Sequence, residues 1–161
     1  MPPRIKCVSN YQNSRMALME AERHGYDSPL LLNDRGKVTE GPASCVFIVR
    51  RGVAITPAIT SGILESITRR TVLELCREEL QIPIEEREVD RSELYVADEM
   101  FFCGTGAEVQ AIAEIDGYRV GAGVMGPVTE RIERAFHDLV RGRSGHEACR
   151  TPVYGVGLAA R

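Results

Sequence analysis

The feature that most constrains this 161-residue chain is an apolar hairpin at residues 45–57. Residues 45–49 read Cys-Val-Phe-Ile-Val, and residues 53–56 read Val-Ala-Ile-Thr. Such β-branched and aromatic runs favour strands, and the short connection Arg-Arg-Gly between them is typical of a tight turn. Pro57 has no N–H for a strand ladder and ends the second run. The hairpin therefore predicts a β-sheet at the centre of the fold.

Three segments have the apolar spacing of amphipathic helices. The first covers residues 10–24, with Asn10 or Ser14 as a candidate N-cap. The second covers residues 66–80, and the third opens with Pro127 at its first position. The apolar stripes of the second and third helices comprise Val72, Leu75, Cys76, Leu80, Val128, Ile132, Phe136 and Leu139.

Further strands are predicted at residues 30–32, 37–40, 82–89, 99–103 and 108–115. Turn residues at 33–36 and the Asp-Gly pair at 116–117 connect neighbouring strands, the latter as a type I′ turn. A proline within the 82–89 run predicts an edge or strand-start position. Together these elements predict an α+β domain over residues 5–141, with a mixed, mostly antiparallel sheet and about three helices. The Gly- and Arg-rich residues 142–161 are expected to form a loosely held tail.

Composition narrows the class of protein. The chain is 43% hydrophobic and 27% charged, with a net charge of −3, which is typical of a soluble globular protein and gives no reason to expect nucleic acid. No apolar run approaches the roughly 20 residues of a membrane span, and no signal peptide is evident, so we expect a cytoplasmic protein. The five scattered cysteines have no metal-ligand spacing, so we expect free thiols and no metal site.

Only two of the twenty basic residues are lysines, Lys6 and Lys37. A lysine amine can lose its proton and form a Schiff base, whereas a guanidinium cannot. Lys37 directly follows the 33–36 turn and is interpreted as a solvated hairpin residue. Lys6 is therefore the chemical candidate.

Four motifs in order carry a family resemblance. They are Lys6-x4-Tyr11 with Ala17-x2-Glu20-Ala21, then Gly36-x-Val38-Thr39-Glu40-Gly41, then Leu64-Glu65-Ser66-Ile67-Thr68-Arg69, and finally Tyr95-x-Ala97-Asp98-Glu99 leading into Gly104-Thr105-Gly106-Ala107-Glu108. This set resembles the C-terminal domain of fold type IV pyridoxal-phosphate enzymes. It is most similar to the branched-chain amino-acid aminotransferases, with D-amino-acid aminotransferase and aminodeoxychorismate lyase as cousins. The resemblance covers nearly the whole chain and implies a barrel-like sheet.

The resemblance implies pyridoxal 5′-phosphate (PLP) as cofactor and assigns roles by position. Lys6 would form the Schiff base and shuttle the proton, Glu40 would face the pyridine nitrogen, and Tyr11 would bind the phenolic oxygen. The phosphate would be held by Ser66, Ile67, Thr68 and Thr105, and the substrate carboxylate would lie near Gly106 and Ala107.

For these positions structural alternatives stay open. Ser66 and Thr68 can serve simply as N-cap residues of the second helix, and Glu40 as a solvated charge. The pair Asp98-Glu99 is interpreted as structural, because neighbours in a strand point to opposite faces.

The implied function is PLP-dependent transamination of branched-chain amino acids with 2-oxoglutarate by a homodimer or higher homo-oligomer. Family members place an N-terminal domain before the lysine, whereas five residues precede Lys6 here. We therefore expect residues 1–141 to be the C-terminal, cofactor-binding domain, with the N-terminal domain absent. Two alternatives remain open: a non-catalytic domain that self-associates or pairs with a separate N-terminal chain, and an aminodeoxychorismate lyase-like enzyme.

Overall fold

The computed structural model describes residues 2–144, which form a five-stranded sheet covered by helices. The strands are β1 (Cys45–Arg50), β2 (Val53–Pro57), β3 (Ile84–Arg87), β4 (Glu99–Gly104), β5 (Glu108–Ala111), and a small pair, β6 (Glu114–Ile115) and β7 (Tyr118–Arg119). The α-helices are α1 (Tyr11–Arg23), α2 (Ile67–Glu74) and α3 (Pro127–Val140). The predicted α+β class and helix number are confirmed. Of the predicted tail, residues 145–161 lie outside the described residues.

The sheet has the strand order β3-β2-β1-β4-β5. The hairpin pair β1–β2 is antiparallel, as are β1–β4 and β4–β5, whereas β2–β3 is parallel. A mixed, mostly antiparallel sheet is therefore confirmed. The barrel-like form is wrong, because among the described residues β3 and β5 are unclosed edges of an open sheet. Pro83 immediately precedes the edge strand β3, as its missing N–H predicts.

The central strands β1 and β4 are buried on both faces, which explains their near-continuous apolar sequences. Phe47 and Phe101 are directly opposite across these strands and stack with ring centroids 4.9 Å apart. Helices α2 and α3 cover this face, with Val72 and Ile132 fully buried against it. The other face packs against a second cluster: Val38, Val46, Ile48, Ile55, Val89, Leu94, Ala97, Met100, Phe102 and Val120.

Three predicted strands differ from the observed ones, and one of them, the segment 37–40, makes only isolated antiparallel bridges through Lys37, Val38 and Glu40. The segment 30–32 is not a buried strand, since it makes only one bridge, from Leu32 to Val38, and Leu32 is 42% exposed. The segment 108–115 breaks after Ala111, and its end joins the β6–β7 hairpin instead. The turn of that hairpin has positive φ at both Asp116 and Gly117, as a type I′ turn requires.

Lys37 and the second helix also depart from expectation. Lys37 is not a freely solvated hairpin residue, because its amine pairs with the carboxylate of Asp90 and its side chain is 29% exposed. The predicted helix over 66–80 is α-helical only through α2 and continues as a π-helical turn over Leu75–Leu80.

No helix within residues 2–144 is long and apolar enough to span a membrane.

The neighbours Asp98 and Glu99 point in opposite directions, as strand alternation predicts. Glu99 is buried, and its carboxylate accepts the backbone N–H groups of Val128 (3.0 Å) and Thr129 (2.7 Å) at the start of α3. Asp98 accepts the backbone N–H of Arg51 in the β1–β2 turn at 2.6 Å. Both carboxylates hold backbone together, so their role in this fold is structural.

Candidate active site

A cavity of about 300 Å³ opens where four segments distant in the sequence meet. The segments are the N-terminal stretch with the start of α1, the loop over residues 40–45, the approach to α2, and the turn between β4 and β5. Seven of the nine predicted site residues line it: Lys6, Tyr11, Glu40, Ser66, Ile67, Thr105 and Gly106. Thr68 is buried and Ala107 is half-buried, and neither lines the cavity. The fold thus brings most of the predicted site into one space.

Lys6 reaches the cavity from an exposed but tethered segment. The side-chain amide of Asn10 donates to the backbone carbonyls of Pro2 (2.9 Å) and Ile5 (2.8 Å). Asn10 therefore ties the stretch that leads up to the lysine to the start of α1, instead of capping the helix with its own side chain. An ion pair between Arg4 and Glu65 (3.4 Å) links the same stretch to the approach to α2. These contacts place a primary amine at the cavity wall.

Glu40 is a half-buried carboxylate on the adjacent wall. Its Oε2 accepts the backbone N–H of Leu64 at 3.0 Å. Burial raises the pKa of Glu40, and the Leu64 N–H opposes this by stabilising the charged form. A cationic N–H in the cavity would replace the hydration that burial takes from the charged form of this carboxylate.

The glycine after Glu40 makes the loop fit tightly. A Cβ on Gly41 would lie 2.6 Å from Oγ of Ser44 and 2.7 Å from the ring of Phe102. The Gly41 N–H donates to the Ser44 carbonyl at 2.8 Å, which closes the loop over residues 41–44. The loop leads directly into β1 at Cys45, so the central strand of the sheet fixes the position of Glu40.

The start of α2 forms the third wall. Ser66 is the N-cap, and its Oγ accepts the backbone N–H of Arg69 at 3.3 Å, so the capping interpretation of Ser66 is confirmed. Ser66 and Ile67 still line the cavity, and the unpaired N–H groups of a first helical turn attract anions. The β4–β5 turn adds the hydroxyl of Thr105 and the backbone of Gly106. One end of the cavity therefore suits an anion.

Sequence reasoning missed Ser14 as a cavity residue. Ser14 lies one helical turn after Tyr11 on α1, is only 9% exposed, and lines the cavity. Its place in the cavity lining brings a hydroxyl group within reach of a ligand there. The i, i+3 spacing from Tyr11 was the available signal, because residues three apart share one helix face.

Cys45 was also missed. It lines the cavity and is directly opposite Cys103 in the β1–β4 register. A hydrogen bond with Cys103 lowers the pKa of Cys45, whereas the same bond and burial raise the pKa of Cys103.

Within residues 2–144 no group of three or more His, Cys, Asp or Glu side chains could hold a metal ion.

Comparison with known protein families identifies the family of this chain. The model of the family described as amino-transferase class IV matches residues 1–115, which contain every residue that lines the cavity. The chain belongs to the amino-transferase class IV family. The expected fold type IV relationship is thereby confirmed.

The individual relatives reported next for this class IV chain are branched-chain aminotransferases. A probable branched-chain-amino-acid aminotransferase of Aquifex aeolicus is 44% identical over 155 residues, which are 96% of this chain and 50% of the relative. The PLP form of a branched-chain amino acid aminotransferase from Thermobaculum terrenum is 54% identical, with a TM-score of 0.88 over 89% of this chain and 47% of that one. A branched-chain aminotransferase from Thermoproteus uzoniensis, crystallised with norvaline, is 45% identical, with a TM-score of 0.90 over 96% of this chain and 51% of that one. The chain thus spans about half the length of the relatives it matches.

Proposed function

We propose that this chain binds PLP in the cavity and supplies the cofactor-holding part of a transaminase for branched-chain amino acids and 2-oxoglutarate. The observation that carries the proposal is one space of about 300 Å³ lined by the Lys6 amine, the Glu40 carboxylate and the start of α2. Membership of the class IV family and the branched-chain aminotransferases among its relatives support it. In this proposal residues 1–141 form the cofactor-binding domain, which acts as a homodimer or higher homo-oligomer in the cytoplasm.

The donor set of the cavity fits the functional groups of PLP. An aldehyde needs an amine, which Lys6 provides, and a protonated pyridine nitrogen needs an anion, which Glu40 provides. The phenolic oxygen matches the hydroxyl of Tyr11. The phosphate matches the anion-attracting start of α2 at Ser66 together with the hydroxyl of Thr105. Each group of the cofactor thus has a complementary group on a different wall.

The residues would divide the chemistry as follows. Bound PLP supplies an electron sink that stabilises the negative charge left when the substrate Cα–H bond breaks. Lys6 would hold the aldehyde carbon and then carry the proton to and from the substrate Cα. Glu40 would hold the proton on the ring nitrogen, since a half-buried carboxylate regains its lost stabilisation from a cationic N–H. Gly106 would leave room for the substrate carboxylate beside the cofactor.

Spectroscopy on two lysine variants tests the proposal. Wild type mixed with PLP should develop the visible absorbance band of lysine-bound cofactor, and Lys6→Ala should not. Lys37→Ala is the matched control, because Lys37 is the only other lysine, is paired with Asp90 and does not line the cavity. It should keep the band. Reduction with borohydride followed by peptide mass analysis should locate the added mass on Lys6.

Two results would overturn the cofactor assignment: no band in wild type, or an undiminished band in Lys6→Ala. Substrate preference needs a separate measurement, because it concerns the whole transaminase. Conversion of leucine, isoleucine and valine with 2-oxoglutarate should exceed elimination from aminodeoxychorismate, and the reverse order would favour the lyase-like alternative.

Exposed apolar side chains support the second candidate function, association with another chain. Val8 is 81% exposed, Ile67 is 75% exposed and Met16 is 71% exposed, and Ile67 lies at the cavity itself. Contiguous apolar patches are characteristic of binding surfaces, and association would remove these three side chains from water. Light scattering should therefore give a mass above one chain, and a mass of one chain at all concentrations would count against self-association.

A further inference from the structure

Arg69 is a buried cation that none of the proposed roles uses. The residue is only 4% exposed, although it lies in the first turn of α2 beside the cavity. Its Nη2 donates to the carbonyl of Pro57 and to Oε2 of Glu86, both at 2.9 Å, and its Nε approaches Oγ1 of Thr56 at 3.4 Å. Burying a charge is costly unless it is paired, so this side chain requires the three contacts that it makes.

The contacts of Arg69 fix the start of α2 to the sheet. Its backbone N–H is the donor that Ser66 caps, and its side chain holds the end of β2 and the middle of β3. Ser66 lines the cavity, so the position of this wall depends on Arg69. An arginine so close to a helix N-terminus stands at the unfavourable, positive end of the helix dipole. An anion at the same end would offset that cost.

The charge around Arg69 is not balanced. Glu86 accepts from Arg69 and also from Arg77, whose Nη2 lies 2.7 Å from Oε1, so two cations share one carboxylate. Burial would raise the pKa of Glu86, but the hydrogen bonds from Arg77 and Arg69 outweigh it and hold that pKa below its ordinary value. Arg77 is 54% exposed and solvent screens its charge, whereas the Arg69 side chain is 5% exposed. The excess positive charge therefore acts mainly from Arg69.

The field of Arg69 reaches the cavity wall. The pKa of Cys45, which lines the cavity, is lowered chiefly by the hydrogen bond with Cys103, and the charge of Arg69 acts in the same direction. An anion at the adjacent end of the cavity would experience the same attraction.

We propose that Arg69 is a positioning residue for the anionic end of the ligand, because it fixes the start of α2 and supplies positive charge there that Glu86, shared with Arg77, balances only in part. This inference rests on the proposed PLP site and names the phosphate as the group that Arg69 serves. It distinguishes Arg69 from Ser66 and Thr105, which would touch the phosphate directly.

Comparison of two ligands isolates the phosphate. Dissociation constants for PLP and for pyridoxal, which lacks the phosphate, are measured by absorbance titration on the full chain. Arg69→Met should weaken PLP binding about tenfold, the upper range for a charge at a helix terminus, and change pyridoxal binding less than about twofold. Arg70→Met is the matched control, because Arg70 is the next residue of the same turn but its side chain is 71% exposed. It should leave both constants within about twofold.

Glu86→Gln separates electrostatics from structure. It loosens the same cluster but removes the negative charge, so PLP should bind about two- to threefold more tightly while the melting temperature falls. A role in packing alone predicts that both cluster variants weaken PLP and pyridoxal equally, and that outcome overturns the inference. If Arg69→Met does not fold, the sign of the Glu86→Gln effect decides.

Failure of the proposed function would give a different result, in which the wild-type chain binds neither PLP nor pyridoxal. Inorganic phosphate then serves as the probe in a thermal-shift titration on the same chains. Stabilisation of wild type and Arg70→Met, but not Arg69→Met, supports the inference, and equal or absent stabilisation overturns it.

Discussion

The contact between Glu99 and α3 yields a prediction that does not depend on the cofactor. Glu99 is 8% exposed on the central strand β4, and its two carboxylate oxygens accept the N–H groups of Val128 and Thr129 at 3.0 and 2.7 Å. The contact is close, because a Cβ on Gly126 would lie 2.2 Å from the Glu99 carboxyl carbon. Glu99→Ala removes both acceptors and leaves one buried donor, at Thr129, and one partly buried donor, at Val128, unpaired.

The size of the effect follows from those two hydrogen bonds. A hydrogen bond to a charged group contributes about 1.5–3 kcal/mol, and loss of a helix cap costs about 0.5–2 kcal/mol. The contributions overlap, so Glu99→Ala should lower the free energy of unfolding by about 3 kcal/mol. Glu99→Gln retains one acceptor oxygen and loses the charge, so it should lower that free energy by about 1.5 kcal/mol.

Urea unfolding followed by circular dichroism measures both values. Glu130→Gln is the control on the same helix, because Glu130 pairs with Arg134 at 3.0 Å on an exposed surface. Exposed pairs contribute little, so this variant should lose no more than about 0.5 kcal/mol. A loss below about 1 kcal/mol for Glu99→Ala, or a loss equal to that of Glu130→Gln, would refute the assignment of Glu99 as the buried cap of α3.

Two further substitutions test the wall that carries Glu40. Gly41→Ala places a methyl group 2.7 Å from the Phe102 ring and should lower the free energy of unfolding in urea by about 1–3 kcal/mol. Gly106→Ala is the control, because no atom lies within 4 Å of its new Cβ, and it should lower that free energy far less. Equal losses would show that the loop over residues 41–44 adapts to the added methyl group. Because burial raises the pKa of Glu40, the unfolded chain ionises this group more readily, so its contribution to stability falls as the pH rises from the ordinary glutamate pKa through the raised folded value. Glu40→Gln removes this contribution, so thermal melts from pH 3 to 8 should show the variant gaining stability relative to wild type as pH rises, and parallel profiles would contradict the assignment.

Local sequence patterns predicted much of the fold. The apolar runs of β1, β2 and β4 are strands, the three apolar stripes are helices, and Asp116-Gly117 turns a hairpin. These succeed because the period of apolar residues and the backbone preferences of turn residues are properties of neighbours in the chain. Leu32 shows where this reasoning ends, since an apolar triplet with a single isolated bridge and an exposed side chain is not a buried strand.

The candidate site likewise has a part that the sequence predicted and a part that only the tertiary structure revealed. The ordered motifs by themselves singled out Lys6, Glu40 and the start of α2, because the residue types that carry PLP chemistry recur at recognisable spacings. Only the tertiary structure brought those segments, 34 and 26 residues apart in the sequence, around one cavity. It also turned Ser14 into a cavity residue.

Burial and charge sharing were decided by packing as well. From sequence alone, an arginine in a helix is predicted to be a solvated charge. Arg69 is a buried cation only because the fold places Pro57 of β2 and Glu86 of β3 against its side chain. The sequence therefore determined which chemical groups this chain carries and in which local elements they lie. The tertiary structure decided which of them share a low-dielectric space, and that sets their charges and their partners.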